Sequence, residues 1–442
     1  MERKVTSKMA AWKSNPDHKP LLLTGCRQIG KTYSVQEFGR KNYDDVVYMN
    51  FEEEPDRKLI FSGNIDHRTI LERIEIIEKK TLRNGKTLLI LDEIQSCDAA
   101  YSSLKHLSEQ KDVDVIALGS FLGIRIDSGE RLSPLGYVDL LAMHPMDFEE
   151  FLWAMGYDRR MIESVANSIM SIKAIDPVIN IALSDAFRRY IAVGGMPEAV
   201  ATYASTGSYM KAYEKLKDII EILKRDAGKY SDAADRMKIV KCLESVPSQL
   251  AKGGKKFIYA EIEKRRGRGA RYYGSALDWL KNAGLIEYCF NVSEPNPPLS
   301  AKTIADDFKI YLCDTGLMSV LIEDADIDAL VNRDPYANNG AFLENAVACV
   351  LTKKDTPSVS TGRKEARWRS TSWLTSQEPL GCWRSNQAGA RDPNRSTRSL
   401  RKKTGSAQAS SWPKGTSRST ATARSISPCT AHASWMKAPW PR

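Results

Sequence analysis

Short apolar runs alternate with amphipathic segments through the first third of the chain. The runs lie at residues 21–25, 46–51, 87–92 and 113–120, between polar or glycine-containing segments. Short continuous apolar runs are typical of strands that are buried on both faces. Strands that alternate with helices indicate a parallel sheet with crossover helices, so the pattern predicts an α/β fold.

The periodicity changes after this region. Residues 1–17 are polar and predict a helix, and residues 147–225 carry a helical pattern. Residues 257–314 mix one helix-like stretch with two strand-like runs, and residues 340–354 predict a last amphipathic helix. Periodicity ends after residue 355, so no folded element is expected beyond it.

Charge is distributed unevenly along the chain. The protein has 442 residues and a net charge of +10, but residues 355–442 contain 16 Lys and Arg against 4 Asp and Glu. The remaining residues have a net charge of −2. The overall basic balance is therefore no sign of a nucleic-acid partner for the folded part, although a basic tail can itself be a binding arm.

The eight cysteines form no CxxC pair, which argues against a zinc site or a disulfide framework. No signal peptide and no apolar run long enough to cross a membrane is present. These features predict reduced thiols in a cytoplasmic protein without a membrane span.

The stretch GCRQIGKT fits the pattern GxxxxGK[ST] and lies between a predicted strand and a predicted helix. In such loops the backbone N–H groups surround phosphates, the lysine reaches the β- and γ-phosphates, and the hydroxyl binds Mg²⁺. We therefore expect ATP and Mg²⁺ as cofactors. The predicted binding residues are Gly25, Cys26, Arg27, Gln28, Ile29, Gly30, Lys31 and Thr32.

LLILDEIQ supplies the acidic partner of this loop. Asp92 ends a buried strand, at the sheet edge where ligands of open α/β sheets bind, and is expected to hold Mg²⁺ together with Thr32. Glu93 is the candidate base that orients the attacking water. Ser120 ends another strand and either contacts the γ-phosphate or forms a simple turn. Arg125 and Arg131 are arginine-finger candidates or, more simply, solvated surface residues.

Residues 255–292 read as a helix, a turn, a second helix and a β-wing, the order of a winged helix. Basic residues cluster at the turn, which favours phosphate contact with DNA. The alternative is a structural or protein-contact module with solvated charges. The cluster comprises Lys264, Arg265, Arg266, Arg268 and Arg271.

With these motifs the sequence resembles the prokaryotic ATPases that join an AAA-type P-loop domain to a C-terminal domain of poorly known function. The resemblance runs from about residue 19 to 351 and rests on KPLLLTGCRQIGKTYSVQEFG, VVYMNFEEEP, TLLILDEIQ, SLKHL, ALGSFLGI, PMDFEEFL, GGMPEAV, FKIYLCDTGLMS and GAFLENAVA. Tyr137 departs from the family, which carries a basic residue after the glycine at this position. Relatives often form rings, so a homo-oligomer is an open expectation.

The resemblance implies an α/β P-loop core, a helical lid, a winged-helix-like module and the start of a C-terminal domain. The predicted boundaries are 1–17 for the N-terminal helix, 18–146 for the core, 147–225 for the lid, 226–300 for the winged-helix-like module, 301–354 for the start of the C-terminal domain and 355–442 for a disordered tail. Two functions are compatible with it: a Mg-dependent ATPase, or a nucleotide-gated DNA-binding protein with little hydrolysis.

The tail has an unusual composition. It holds six of the nine tryptophans, no Tyr or Phe, and only five Val, Leu or Ile. Read one nucleotide earlier with suitable synonymous codons, residues 367–373 give Met-Glu-Ile-Asp-Phe-Leu and residues 382–388 give Leu-Glu-Ile-Lys-Ser-Gly, the blocks that relatives carry after the ENAVA helix. Our hypothesis is that the reading frame slips between about residues 351 and 367. A nuclease function would need these blocks, which this chain lacks.

Overall fold

The structure is a computed structural model, and the residues it describes are 1–63, 66–110, 112–119, 136–227, 233–252, 256–263, 269–294, 298–322, 339–353, 359–360 and 372–373. The strands are β1 (Leu21–Thr24), β2 (Asp45–Asn50), β3 (Thr87–Asp92), β4 (Asp114–Gly119), β5 (Asp139–Ala142), β6 (Ile286–Val292), β7 (Thr303–Leu312), β8 (Val359–Ser360) and β9 (Ser372–Trp373). The helices are α1 (Lys4–Ser14), α2 (Lys31–Asn42), α3 (His67–Glu78), α4 (Asp98–Gln110), α5 (Phe148–Ala154), α6 (Arg159–Met170), α7 (Pro177–Val193), α8 (Pro197–Thr206), α9 (Tyr209–Asp226), α10 (Ala233–Ala251), α11 (Ala270–Asn282), α12 (Thr315–Val320) and α13 (Asn339–Thr352).

The first sheet has five parallel strands in the order β2-β3-β4-β1-β5. The four apolar runs of the sequence correspond to β1 to β4, which confirms the predicted α/β class. The sequence pattern did not reveal β5, because its side chains alternate between half-buried and exposed at the edge of the sheet. The carboxyl ends of β1 and β3 lie one strand apart, across β4, and carry the two main motifs.

Side chains of this sheet alternate between two apolar cores. Leu21, Leu23 and Leu88 contribute to a core that also contains residues of α1 and α2 and buried residues after β5, between Met143 and Ala348. Leu22 and Leu89 face a second core, formed with α3 and α4. A strand directs successive side chains to opposite faces, so one face of the sheet is shared with the later helices and the other is closed locally.

The part of the chain after β5 is helical until the hairpin of β6 and β7. An N-terminal capping box at Asp147 and Glu150 begins α5, and Asp176 and Ser208 cap the starts of α7 and α9. Strands β6 and β7 pair antiparallel after α10 and α11. The helix α11 and the hairpin after it agree with the sequence pattern, but the first helix predicted within residues 255–292 differs: the described residues 256–263 contain a short 3-10 helix at Tyr259–Glu261, and α10 ends before this range. The winged-helix assignment itself stays a prediction.

The predicted tail lies mostly outside the described residues, and with it the frame-slip hypothesis. Within it, β8 pairs parallel with β6 and β9 pairs antiparallel with β8. These four residues differ from the expectation of a tail without secondary structure, because the edge of β6 offers free backbone groups for pairing. Among the described helices, none is long and apolar enough to span a membrane.

Candidate functional site

The glycine loop, residues 25–32, connects the end of β1 to the start of α2 as predicted. Its backbone turns through the left-handed region at Gln28 (φ 65°) and Gly30 (φ 81°). Glycine adopts this conformation without strain, whereas Gln28 does so at a cost in conformational energy that the fold has to offset. Strained backbone of this kind is common where a loop is shaped around a ligand.

Lys31 begins α2 and is largely buried, with 9% of its surface exposed. Its Nζ donates to the carbonyl oxygens of Gly25 at 2.9 Å and Cys26 at 2.8 Å, so the ammonium lies over the loop. Burial lowers the pKa of Lys31, while the nearby Cys26, Glu93 and Asp92 counteract this effect. The side chain is therefore a desolvated cation at the concave side of the loop.

Thr32 and Asp92, the two residues predicted to hold Mg²⁺, are joined directly by a hydrogen bond. Thr32 Oγ1 donates to Asp92 Oδ2 at 2.7 Å, which brings together groups 60 residues apart in sequence. The hydroxyl of Tyr48 donates to the same carboxylate oxygen at 2.9 Å and also lies 3.3 Å from Asn50 Nδ2. Asp92 is 4% exposed, and these bonds satisfy its buried charge. The sequence did not reveal Tyr48 as part of this group.

Glu93 follows Asp92 in a left-handed conformation, with φ 51° and ψ 45°. Its carboxylate accepts a hydrogen bond from Gln95 Nε2. Burial raises the pKa of Glu93, and the charge of Arg27 opposes this shift. A carboxylate with a raised pKa next to a desolvated cation has the character of a proton acceptor.

Arg3 holds the glycine loop through a hydrogen bond to its backbone, and no sequence pattern predicts this role. It is 7% exposed and donates to the carbonyl oxygens of Ile29 at 2.9 Å and His144 at 2.7 Å, and to Glu150 Oε1 at 3.1 Å. Nothing in its sequence context distinguishes it, because its partners lie between 26 and 147 residues away.

Two further segments contact the loop. Arg27 forms ion pairs with Asp226 at the end of α9 and with Glu52 after β2. A hydrogen bond from the thiol of Cys313 lowers the pKa of Cys26, against the opposite effect of burial. The loop therefore touches α9 and the segment after β7 as well as its own sheet.

The family-like blocks PMDFEEFL, GGMPEAV and YLCDTGL meet at one buried junction beside the loop. Met146 N donates to the carbonyl oxygen of Gly195 at 2.7 Å, and Gly195 N donates to Asp314 Oδ2 at 2.5 Å. Asp314 is 2% exposed and also accepts from Leu317 N at 3.1 Å. Burial raises its pKa. These bonds join the core to the C-terminal part, so the blocks are structural contacts.

Several predicted residues lie outside the described part of the chain, namely Ser120, Arg125, Arg131, Lys264, Arg265, Arg266 and Arg268. Arg271 is described and lies exposed at the start of α11. Tyr137, where relatives carry a basic residue, is 37% exposed, and Lys105 Nζ lies 5.0 Å from its ring centroid. A cation is thus present near this position, contributed by α4.

Two family models match the sequence. Residues 17–152 match a family described as an AAA domain, and residues 184–328 match a domain of unknown function, DUF8612. No curated protein matches the chain. The first match begins before β1 and ends in α5, so it contains the glycine loop and Asp92.

Solved structures with a similar fold include a Walker-type ATPase of Pyrococcus abyssi, at 14% identity and a TM-score of 0.45, over 72% of this chain and 95% of that one. The Aeropyrum pernix ORC2 protein in ADPNP–ADP complexes is similar at 14% identity and a TM-score of 0.36, over 78% and 94%. The Aeropyrum pernix ORC1 protein in complex with DNA follows at 12% identity and a TM-score of 0.28, over 76% and 92%.

The parallel sheet, the glycine loop and the matching family model together define the class of protein. Residues 17–152 form an α/β domain with a P-loop fold, and they match the model of an AAA domain. The second matching region, which contains α8, α9 and the β6–β7 hairpin, is joined to it at the buried junction by the bond from Met146 N to the carbonyl oxygen of Gly195.

Proposed function

We propose that this protein binds Mg-ATP in the glycine loop and hydrolyses it. The observation that carries the proposal is the contact of Thr32 with Asp92, 2.7 Å apart, next to the buried ammonium of Lys31. These are the hydroxyl, the carboxylate and the cation that a phosphate–magnesium site requires, and they converge from two strand ends.

The phosphates would be bound by the backbone N–H groups of the loop and by Lys31. The N-terminus of α2 carries backbone N–H groups and the positive end of the helix dipole, which attract anions. Lys31 adds a charge that burial has stripped of most of its water, and such a charge interacts more strongly with phosphate than an exposed one. The hydrogen bonds to Gly25 and Cys26 orient it over the loop.

Magnesium fits the oxygens of Thr32 and Asp92. Mg²⁺ prefers hard oxygen ligands and usually takes only one or two from the protein, the others coming from water and phosphate. Bound there, it would neutralise charge that develops on the phosphate oxygens. Tyr48 holds Asp92 in place through its hydroxyl, which fixes the direction of the carboxylate.

Glu93 would orient and deprotonate the attacking water. Burial raises its pKa toward the range in which a carboxylate accepts a proton most effectively. The bond from Gln95 restrains the carboxylate. Arg27 lies close enough for its charge to act on Glu93, and it opposes the rise in the pKa of that carboxyl group.

Phosphate release with Mg-ATP tests hydrolysis. Glu93→Gln keeps the shape of the side chain but removes the base, so turnover should fall about 100-fold or more while ATP affinity is unchanged. The exposed neighbour Glu53 provides the matched control Glu53→Gln, which should hydrolyse ATP like the wild type. Undiminished turnover in Glu93→Gln would remove Glu93 from this role.

The remaining features are proposed on the same basis. We place the domain boundaries where the sequence pattern does, and we infer a cytoplasmic protein, with a homo-oligomer as a further expectation. DNA binding through Arg265, Arg266 and Arg268 stays a prediction, since these residues lie outside the described part. Affinity for duplex DNA that falls steeply with salt would support DNA binding, and a flat response would contradict it.

A further inference from the structure

The side chain of Arg27, in the glycine loop, contacts a helix outside the sheet domain. Its Nε lies 3.0 Å from Oδ2 of Asp226, the last residue of α9, and its side chain and that of Asp226 are 15% and 6% exposed. A second carboxylate, Glu52, lies 3.6 Å away. The guanidinium therefore ties the loop to a helix of the region that follows the AAA-type domain.

The same guanidinium lies beside the groups proposed to act on ATP. Its charge opposes the upward shift of the pKa of Glu93 and adds to the downward shift of that of Lys31. Arg27 is thus ion-paired with Asp226 and Glu52 while its charge also acts on Glu93 and Lys31 of the proposed ATP site. Guanidinium groups bind phosphate and carboxylate with the same paired N–H geometry, so the two compete for it.

Helix α9 is well placed to transmit a change. It buries Leu216, Ile219 and Ile220 and packs against α8 and α12. Helix α12 begins directly after Asp314, whose carboxylate holds Gly195 at the junction. A shift at the end of α9 is therefore a shift within the region that matches the domain of unknown function, and it reaches α12 and the junction.

We propose that Arg27 couples nucleotide binding to helix α9: phosphates bound in the loop compete with Asp226 for its guanidinium and weaken its hold on the helix. The inference rests on the proposed function, because it requires that the loop binds nucleotide. Linkage makes the coupling reciprocal, so removing the carboxylate of Asp226 has to tighten nucleotide binding.

The test compares the full-length wild type with Asp226→Asn, using a non-hydrolysable ATP analogue with Mg²⁺ in a calorimetric titration. Asp226→Asn should bind about fivefold more tightly. The control is Glu221→Gln on the same helix, whose carboxylate is 59% exposed and pairs with Lys224. It should bind like the wild type.

Hydrogen exchange of α9 gives a second readout that a purely structural pair would not show. In the wild type and in Glu221→Gln, the analogue should speed exchange near residue 226, whereas in Asp226→Asn exchange should be independent of it. Arg27→Lys keeps the charge but lacks the paired N–H donors of a guanidinium group. In this variant, too, exchange of α9 should not respond to the analogue. Arg27→Lys replaces Asp226→Asn if that variant does not fold.

The outcomes separate the two claims. Wild-type protein that binds no nucleotide overturns the proposed function, and this inference with it. The coupling alone is overturned by a different result. In that case the wild type binds nucleotide, Asp226→Asn binds it with equal affinity, and the nucleotide changes hydrogen exchange of α9 equally in both proteins.

Discussion

Two glycine turns lie side by side in this protein, and glycine has a different purpose in each. In the glycine loop, Gly30 has φ 81° and a Cβ there would find Pro197 Cγ as its nearest neighbour, at 3.8 Å. In the turn that contains Gly195, a Cβ would overlap the backbone of Met146, although the conformation of Gly195 is ordinary. The first glycine is needed for its conformation, and the second because no space remains for a side chain.

The segment from Met143 to Met146 connects these turns. The carbonyl of Met143 lies against Gly25, and the backbone of Met146 lies against Gly195. Arg3 binds the carbonyl oxygen of His144 between them. A Cβ would have space at Gly30, whereas in the other turn it would meet backbone at Gly195 and Asp314 at Gly194. Glycine therefore sets the backbone conformation in one of these turns and allows a close backbone contact in the other.

Gly195→Ala should have the largest effect on stability. The added methyl group overlaps the Met146 backbone, and forcing it in should lower the free energy of unfolding by about 3 kcal/mol. Chemical denaturation measures this. Gly274→Ala is the matched control, because Gly274 lies within α11 with open space around it. It should raise the stability by about 0.5–1 kcal/mol. Equal stability of Gly195→Ala and the wild type would contradict the close contact.

The pH dependence of stability tests the connecting segment. Burial lowers the pKa of His144 to about 4, so the folded protein keeps it neutral where the unfolded chain takes up a proton. The contribution of neutral His144 to the stability of the fold is present above pH ~6.5 and is lost as the pH falls toward 4. The free energy of unfolding should therefore fall by about 2 kcal/mol between pH 7 and pH 5.

Replacing this histidine should remove that loss. His144→Gln should lose less stability than the wild type between pH 7 and pH 5, by the same amount of about 2 kcal/mol. The exposed His106 gives the control His106→Gln, which should follow the wild-type profile. Parallel profiles of the wild type and His144→Gln would show that the segment is not buried between the turns.

The sequence predicted the local parts of the site and the proximity of Thr32 and Asp92, and it missed the other long-range contacts. Strands β1, β3 and β4 and the glycine loop follow from apolar runs and from a motif with a strand before it and a helix after it. Arg3 and Asp226 belong to no motif, and Tyr48 lies in a family-like block that gives it no role, because the roles of all three depend on residues that only folding brings near. The same holds for the GGMPEAV and YLCDTGL blocks, whose buried contact with each other no local pattern encodes.

The most direct test of the account is a titration of the full-length protein with a Mg-ATP analogue, compared with the variant Lys31→Ala. The wild type should bind with measurable affinity, and Lys31→Ala should bind about 100-fold more weakly, because charge-assisted bonds to phosphate are lost. Lys41→Ala is the control on the same helix, since Lys41 is exposed and pairs with Glu37. Equal affinity of Lys31→Ala and the wild type would show that the glycine loop is not the nucleotide site.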